Sequence, residues 1–252
     1  MPDTAPAPRF FVPPEGASAG AAFVAGRHLA LPPTEAHHAA HVLRLKVGDA
    51  VELFDGRGGV AAGRIVGSSR HEVVVGIEEP LAPATAPRPR IHLAFAVPKG
   101  RRLDWLLEKA TELGVESLAP VRFARSVAGA EALSPAKRQR WLGHCIAAAK
   151  QARTAFLPVV EDARPLDAFL AGVGPGLYGD LADAATAVRD VLDRHAGAEA
   201  LHVVVGPEGG LTEAERLAMQ AAGLEPARLG QTTLRVETAA IALVAAVRAY
   251  AR

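Results

Sequence analysis

Two short stretches of this 252-residue chain carry residue types that could do chemistry. The first is LHVVVGPEGGLTEAE, from Leu201 to Glu215. An apolar run ends in Gly206-Pro207-Glu208-Gly209-Gly210, and Thr212 and Glu215 stand at capping-box spacing for a helix that starts at once. A strand-to-helix loop at the carboxyl edge of a parallel sheet is where ligands bind, and glycines let a ligand approach the backbone. No Lys-Ser/Thr pair follows, so the loop is not a P-loop. The plain alternative is an ordinary tight turn. The second stretch is LGQTTLRVETAA, from Leu229 to Ala240. Gly230 opens a polar loop, and Arg235 and Glu237 stand two apart where a helix begins. Spacing leaves two readings open. The carboxylate and cation could serve proton transfer and charge stabilisation, or Glu237 could be a first-turn helix charge with Arg235 as its surface partner.

Two other patterns imitate sites. Gly172-Val173-Gly174-Pro175-Gly176 resembles a dinucleotide fingerprint, but it neither follows a strong strand nor opens a helix. His37 and His41 form an i,i+4 pair beside His38, without a cysteine or third-ligand pattern, so no metal is expected. The single cysteine, Cys145, excludes an intrachain disulfide and any multi-cysteine metal site.

The elements that must position these residues follow from rhythm and composition. Half of the residues are hydrophobic and 22% are charged, enough apolar material for one large domain or two small ones. No apolar run reaches the roughly 18–20 residues that cross a bilayer, and the opening MPDTAPAPRF lacks a secretion-signal pattern. The expectation is a soluble, cytoplasmic protein with no membrane partner. The net charge of +1 divides into −2 over residues 1–80, +7 over 81–150 and −4 over 151–252, so a basic middle suited to phosphates is hidden in a near-neutral whole. Residues 1–79 contain short strand candidates at 50–54, 59–66 and 72–77, with hairpin-type turns at Asp55-Gly56 and Gly58-Gly59, after one short helix near 34–43. This predicts a small β-barrel or roll. Residues 80–90 are a proline-rich linker. From 91 to 252 strands and helices alternate: strands at 91–97, 118–123, 176–180 and 201–205, and helices from 103, at 134–152, 186–195, 212–222 and 238–251. That rhythm predicts a parallel α/β sheet.

The ordered motifs carry a resemblance. GPEGG after an apolar strand, followed by Leu229-Gly230 and Leu234-Arg235 with Glu237-Thr238 at a C-terminal helix, resembles the SPOUT superfamily of RNA methyltransferases. Arg9-Phe10-Phe11-Val12, His37-His38 through Val42-Leu43-Arg44, Phe54-Asp55-Gly56, Lys99-Gly100, Glu108 through Val115, and Arg125-Ser126 resemble one branch of it, the RsmE family of bacterial 16S ribosomal RNA uridine N3-methyltransferases. The likeness covers nearly the whole chain. It departs at Lys150-Gln151-Ala152-Arg153-Thr154, where only Gln151 matches the family's Glu-Gln-Ser/Cys-Gly-Arg, and at Ala124, where the family has a frequent Glu.

The resemblance implies a PUA-like RNA-binding barrel over 1–79, and a SPOUT domain with a trefoil knot over 91–252. It also implies S-adenosylmethionine as methyl donor, 16S ribosomal RNA as substrate, and a homodimer. Three loops would hold the cofactor, which assigns to it Tyr178, Gly179, Gly206, Glu208, Gly210, Leu229, Gly230, Thr233 and Leu234. Glu237 would accept the uridine N3 proton and Arg235 would steady the charge left on the ring, without a metal. Arg9, Arg44, Lys46, Arg101, Arg125 and Arg153 would contact RNA. A ribose 2′-O-methyltransferase and a non-catalytic RNA-binding protein are the rival readings.

Overall fold

The computed structural model describes residues 6–16, 18–69, 72–126 and 133–250, so Ala251, where the last helix is expected to end, lies outside the described residues. The chain forms two compact units, Met1–Ala86 with Ala149–Leu157, and Pro87–Ala148 with Pro158–Arg252.

In the first unit, alternation at period two selects strands. Along β4 (Val60–Ser68), Ala61 and Ile65 point into the core while Arg64 and Val66 face out. Strands β1 (Arg9–Phe11), β2 (His28–Ala30), β3 (Ala50–Phe54), β4 and β5 (Val73–Pro80) form a sheet in the order β1-β3-β4-β5-β2, antiparallel except for β1 against β3. Register shifts between β4 and β5 mark bulges, which bend a sheet over its own core of Phe10, Leu29, Leu53, Ile65 and Val75. The β3–β4 turn is organised by buried Asp55. Its Oδ1 accepts from the amides of Arg57 (2.8 Å) and Gly59 (2.9 Å), and its Oδ2 from that of Gly20 (2.5 Å). A short helix, α1 (Pro33–His37), runs on into a π-helical turn at His38–Val42.

The sequence reading carries the second domain unbroken from 91 to 252, but residues 149–157 fold with the first unit. Lys150 Nζ lies 2.9 Å from Glu35, Arg153 pairs with Glu52 at 2.8 Å, and Arg9 Nη1 donates to the Thr154 carbonyl at 2.8 Å. Backbone bonds from Gly58 to the Ala155 carbonyl (3.0 Å) and from Leu157 to the Gly56 carbonyl (2.9 Å) complete the attachment. Charge complementarity within the first unit gives Lys150 and Arg153 their partners.

The second unit is built on parallel strands. They are β6 (Arg90–Phe95), β7 (Ser117–Arg122), β8 (Val159–Val160), β10 (Gly176–Gly179), β11 (Thr186–Ala187), β12 (Ala200–Val205) and β13 (Leu224–Arg228). Their order is β11-β13-β10-β12-β6-β7-β8, with β9 (Arg164–Pro165) also on β7. Leu201, Val203, Val204 and Val205 are all buried, as a central strand covered on both faces requires. One face carries α2 (Arg101–Glu112), α5 (Val188–Arg194) and α7 (Val236–Tyr250), and the other α4 (Leu166–Leu170) and α6 (Glu213–Ala221). The remaining helix, α3 (Pro135–Ala152), is the one whose last turn belongs to the first unit. Arg248 on α7 closes the end of α2 by donating to the carbonyls of Leu113 (2.8 Å), Gly114 (2.5 Å) and Pro89 (2.5 Å).

The glycine run at 172–176 is a packing device. A Cβ on Gly176 would collide with the His202 carbonyl, so only glycine lets β10 lie this close to β12, and the Gly174 amide donates to His202 Nδ1 at 3.2 Å. His202 stacks on His92 of β6 at 4.9 Å between centroids. Burial, then the neighbouring His92, pushes the His202 imidazole down to about 4. The unfolded chain therefore takes up the proton first as pH falls. Stability from this site is complete above the ordinary histidine value of about 6.5 and is lost between there and about 4, a change of about 2 kcal/mol for this half-buried ring. The melting temperature of His202→Gln should accordingly fall less than that of the parent between pH 7 and pH 4.5. Parallel melting curves would refute this role.

Candidate active site

The ends of the three neighbouring strands β13, β10 and β12 place three loops side by side. After β10, Asp180 folds the chain back. Its Oδ1 accepts from the amides of Leu181 (2.8 Å) and Ala182 (3.2 Å), and Arg216 Nε of α6 donates to its Oδ2 at 2.7 Å. Burial opposes ionisation of this carboxyl, but the Arg216 hydrogen bond and charge and the two amides outweigh it and hold the group below its ordinary value. After β12, the Gly210 amide closes a turn on the Pro207 carbonyl at 2.9 Å, with Gly210 at φ +76°. The capping box predicted at Thr212 and Glu215 is formed, and the other Glu215 oxygen accepts from the Ala124 amide at 2.7 Å. After β13, residues 229–235 are mostly exposed and lead into α7.

Between these loops lies a cavity of about 490 Å³. Gly179, Gly206, Glu208, Gly210, Leu229, Gly230, Thr233 and Leu234 line it, together with Asp180, Arg216 and, from α7, Val236, Ala239 and Leu243. Tyr178 does not line it. That side chain is buried on the other face, where its hydroxyl accepts from Gln220 at 3.1 Å and burial raises its pKa. A larger hollow of about 610 Å³, walled by Asp193, His195, Glu199 and Tyr250, sits at the amino-terminal side of β12, away from the loops that could grip a ligand.

Glu237 opens into a shallower concavity beside the cavity, lined by Arg101, Arg102, Trp105, Glu237 and Thr238. Glu237 is 8% exposed and its Oε2 has no hydrogen-bond partner among the described residues. Its neighbouring cation is Arg102, with Nε at 3.9 Å, and not Arg235. Arg102 also reaches across to Glu208, Nη1 to Oε1 at 2.6 Å, so one guanidinium spans the glycine-rich loop and the buried carboxylate. Arg235 is exposed and makes no side-chain bond among the described residues. The expected residues therefore form no ion pair: Glu237 is buried beside Arg102, and Arg235 is exposed at the loop's end.

The cations assigned to RNA divide. Arg44 and Lys46 are exposed, and their side chains are uncommitted among the described residues; Arg44 takes φ +55°. Arg101 is exposed at the start of α2. Arg125 is exposed but donates to the Gly209 carbonyl at 3.0 Å, bracing the glycine-rich loop. Arg9 is 6% exposed and held by Glu52 at 2.7 Å, a packing position within the first unit. Arg153 is committed to Glu52. In the basic middle, Arg138 pairs with Asp162 and Arg140 with Asp104, so part of that charge is internally balanced. The sequence marks neither Arg216 nor the span of Arg102, because no local pattern records their long-range partners, and it does not single out Trp105. Among the described residues no group of three or more His, Cys, Asp or Glu is arranged to hold a metal ion, and no helix is long and apolar enough to cross a membrane.

Residues 85–248 match the family described as RNA methyltransferase domain, and residues 31–78 the RNA methyltransferase PUA domain. A curated relative named ribosomal RNA small subunit methyltransferase E, from Mycobacterium bovis, is 32% identical over 226 residues, covering 84% of this chain and 83% of its own. One of the same name from Bacillus subtilis is 28% identical over 225 residues, covering 84% of this chain and 86% of its own. Among solved structures, a Legionella pneumophila methyltransferase in complex with bound SAM has a TM-score of 0.86 at 27% identity, covering 97% of this chain and 98% of that one. The Neisseria gonorrhoeae ribosomal RNA small subunit methyltransferase E bound to S-adenosyl methionine has a TM-score of 0.83 at 28% identity, with the same coverage. With the cavity at the strand ends, the PUA domain before it and relatives matched along most of their length, the chain belongs to the ribosomal RNA small subunit methyltransferase E family.

Proposed function

We propose that this protein transfers a methyl group from S-adenosylmethionine to N3 of a uridine in small-subunit ribosomal RNA. The observation that carries the reading is the Arg102 guanidinium, which links Glu208 on the wall of the three-loop cavity to buried Glu237 in the neighbouring concavity. The cavity suits the cofactor. It has apolar walls at Leu229, Leu234 and Leu243, a loop backbone open to hydrogen bonding, and free space above Gly230. S-adenosylmethionine, when bound, supplies an already electrophilic methyl group, so the protein must mainly align the nucleophile and free it of its proton.

The Glu237 carboxylate accepts the N3 proton. Arg102 keeps that carboxylate oriented, and Arg235 steadies the negative charge that spreads to the flanking carbonyls of the base. Arg44, Lys46 and Arg101 hold RNA phosphates. Incubating unmodified small subunits with isotopically labelled cofactor and digesting the RNA to nucleosides tests the reaction. Labelled 3-methyluridine is the expected product. A labelled 2′-O-methyl nucleoside, or none at all, overturns the assignment.

The same reading includes a cytoplasmic location, the trefoil knot and a homodimer. On α7, Leu243, Val244 and Val247 are buried within the subunit, which leaves Ile241 and neighbouring alanines half-exposed as the surface for a second copy. Light scattering at micromolar concentration should give twice 26.2 kDa. A mass of 26.2 kDa refutes the dimer.

A further inference from the structure

Trp105 is 42% exposed on α2, whereas the other tryptophan, Trp141, is 1% exposed. A large aromatic surface left in water is costly unless something covers it. Its surroundings point to the occupant. Trp105 shares its concavity with Glu237, whose side chain is nine-tenths buried and whose Oε2 lacks a partner. Arg101 and Arg102 stand one helical turn before Trp105, on the same face of α2. Arg101 is uncommitted among the described residues, while Arg102 is fixed between Glu208 and Glu237. A flat apolar platform, an acceptor-only carboxylate and a free cation within one hollow are complementary to one nucleotide. The base stacks on the indole, a ring N–H meets the carboxylate and a phosphate meets the arginine.

We propose that this concavity is the target-base subsite, with Trp105 as the stacking platform and Glu237 as the group that selects uracil over cytosine. The proposal rests on the methyltransferase reading above. An ionised carboxylate can only accept a hydrogen bond. Uracil offers N3–H to it, whereas cytosine presents a lone pair at N3 that is repelled. Selection therefore comes from the same oxygen that receives the proton, and stacking supplies affinity without regard to base identity. Arg102 is a positioning residue here, since its span fixes where Glu237 sits.

The test uses full-length protein and small subunits reconstituted from transcribed 16S RNA. Trp105→Ala should raise KM for the subunits or lower the single-turnover rate by about 10-fold to 100-fold, the range expected for one lost base stack, with cofactor affinity unchanged. Trp105→Phe keeps an aromatic face and should stay within about 3-fold of the parent. Replacing the methylated uridine by cytidine should abolish labelling. Parental activity in Trp105→Ala overturns the platform while leaving the methyltransferase reading intact. Loss of activity in Trp105→Ala accompanied by a halved mass in light scattering overturns it in favour of a subunit contact. Equal labelling of cytidine overturns the selective role of Glu237. Parent protein that makes no 3-methyluridine overturns the reaction itself and this subsite with it.

Discussion

Glu237→Gln lowers the single-turnover rate of methylation by about 10²–10³-fold while cofactor affinity and melting temperature stay near the parent values. The rate loss is of the size seen when one transition-state interaction is removed. Affinity is spared because Glu237 lines the shallow concavity and not the three-loop cavity. Stability is spared because two small terms oppose each other. Glutamine forfeits a favourable first-turn charge on α7, worth about 0.3–1 kcal/mol, but also relieves burial of a carboxylate with one unpartnered oxygen. Arg235→Ala should slow the reaction in the same direction without any melting penalty, since that side chain is exposed and makes no bond among the described residues. If Glu237 is the base, the variant's rate must recover as pH rises toward ionisation of the uracil N3–H, because solvent then removes the proton. An early-melting Glu237→Gln that methylates normally would reduce Glu237 to a helix-terminal charge.

The contrast between the two arginines near this carboxylate explains where sequence reading succeeds. Strands and helices with a strong period were legible: 201–205 appears as β12, the Thr212 capping box forms as spaced, and the helix expected from 238 begins at Val236. The last of these differs because helix starts depend on capping geometry, which a sequence specifies only within a few residues. Strand β13 was not legible. Its sequence LEPAR carries two charges and Pro226, and it is a strand only because β10 and β11 flank it. Strands β8 and β9 are two residues each and take their identity from β7 alone.

The site was legible in its loops and less so in its partners. Glycine-rich turns after strands announce themselves because backbone conformation is a local property. Ion pairs are not local. Arg102 lies 106 residues from Glu208, and nothing between them records the contact. Arg235 is two residues from Glu237 yet exposed and not its ion-pair partner, since Arg235 stands just before α7 whereas Glu237 lies within its first turn. Arg9 and Arg153 looked like RNA contacts for the same reason: charge is visible in a sequence, while its neutralisation by Glu52 is not.

Gly230→Val abolishes most cofactor binding and leaves the fold intact, with a loss of affinity of about 10²-fold or more in calorimetry. The argument turns on what a side chain at that position would meet. Gly230 does not take a left-handed backbone conformation, and a Cβ built on it finds no atom within 4 Å. Nothing in the folded chain therefore requires glycine there. The melting temperature should hold or rise slightly, because the unfolded valine chain has less conformational freedom to lose. The space the new side chain enters is at the wall of the three-loop cavity, so its branched carbons compete with the ligand and not with the protein. Gly206→Ala is the control with the opposite logic. Its Cβ would approach Leu211 Cδ2 to 2.6 Å, and Leu211 is 6% exposed, so that packed side chain must shift beneath the loop. That variant should lose both stability, by about 1–3 kcal/mol, and binding. The pair separates occupation of the cavity from damage to its frame. If Gly230→Val binds S-adenosylmethionine as the parent does, the loop after β13 does not touch the cofactor, and the ligand lies against the other two loops alone.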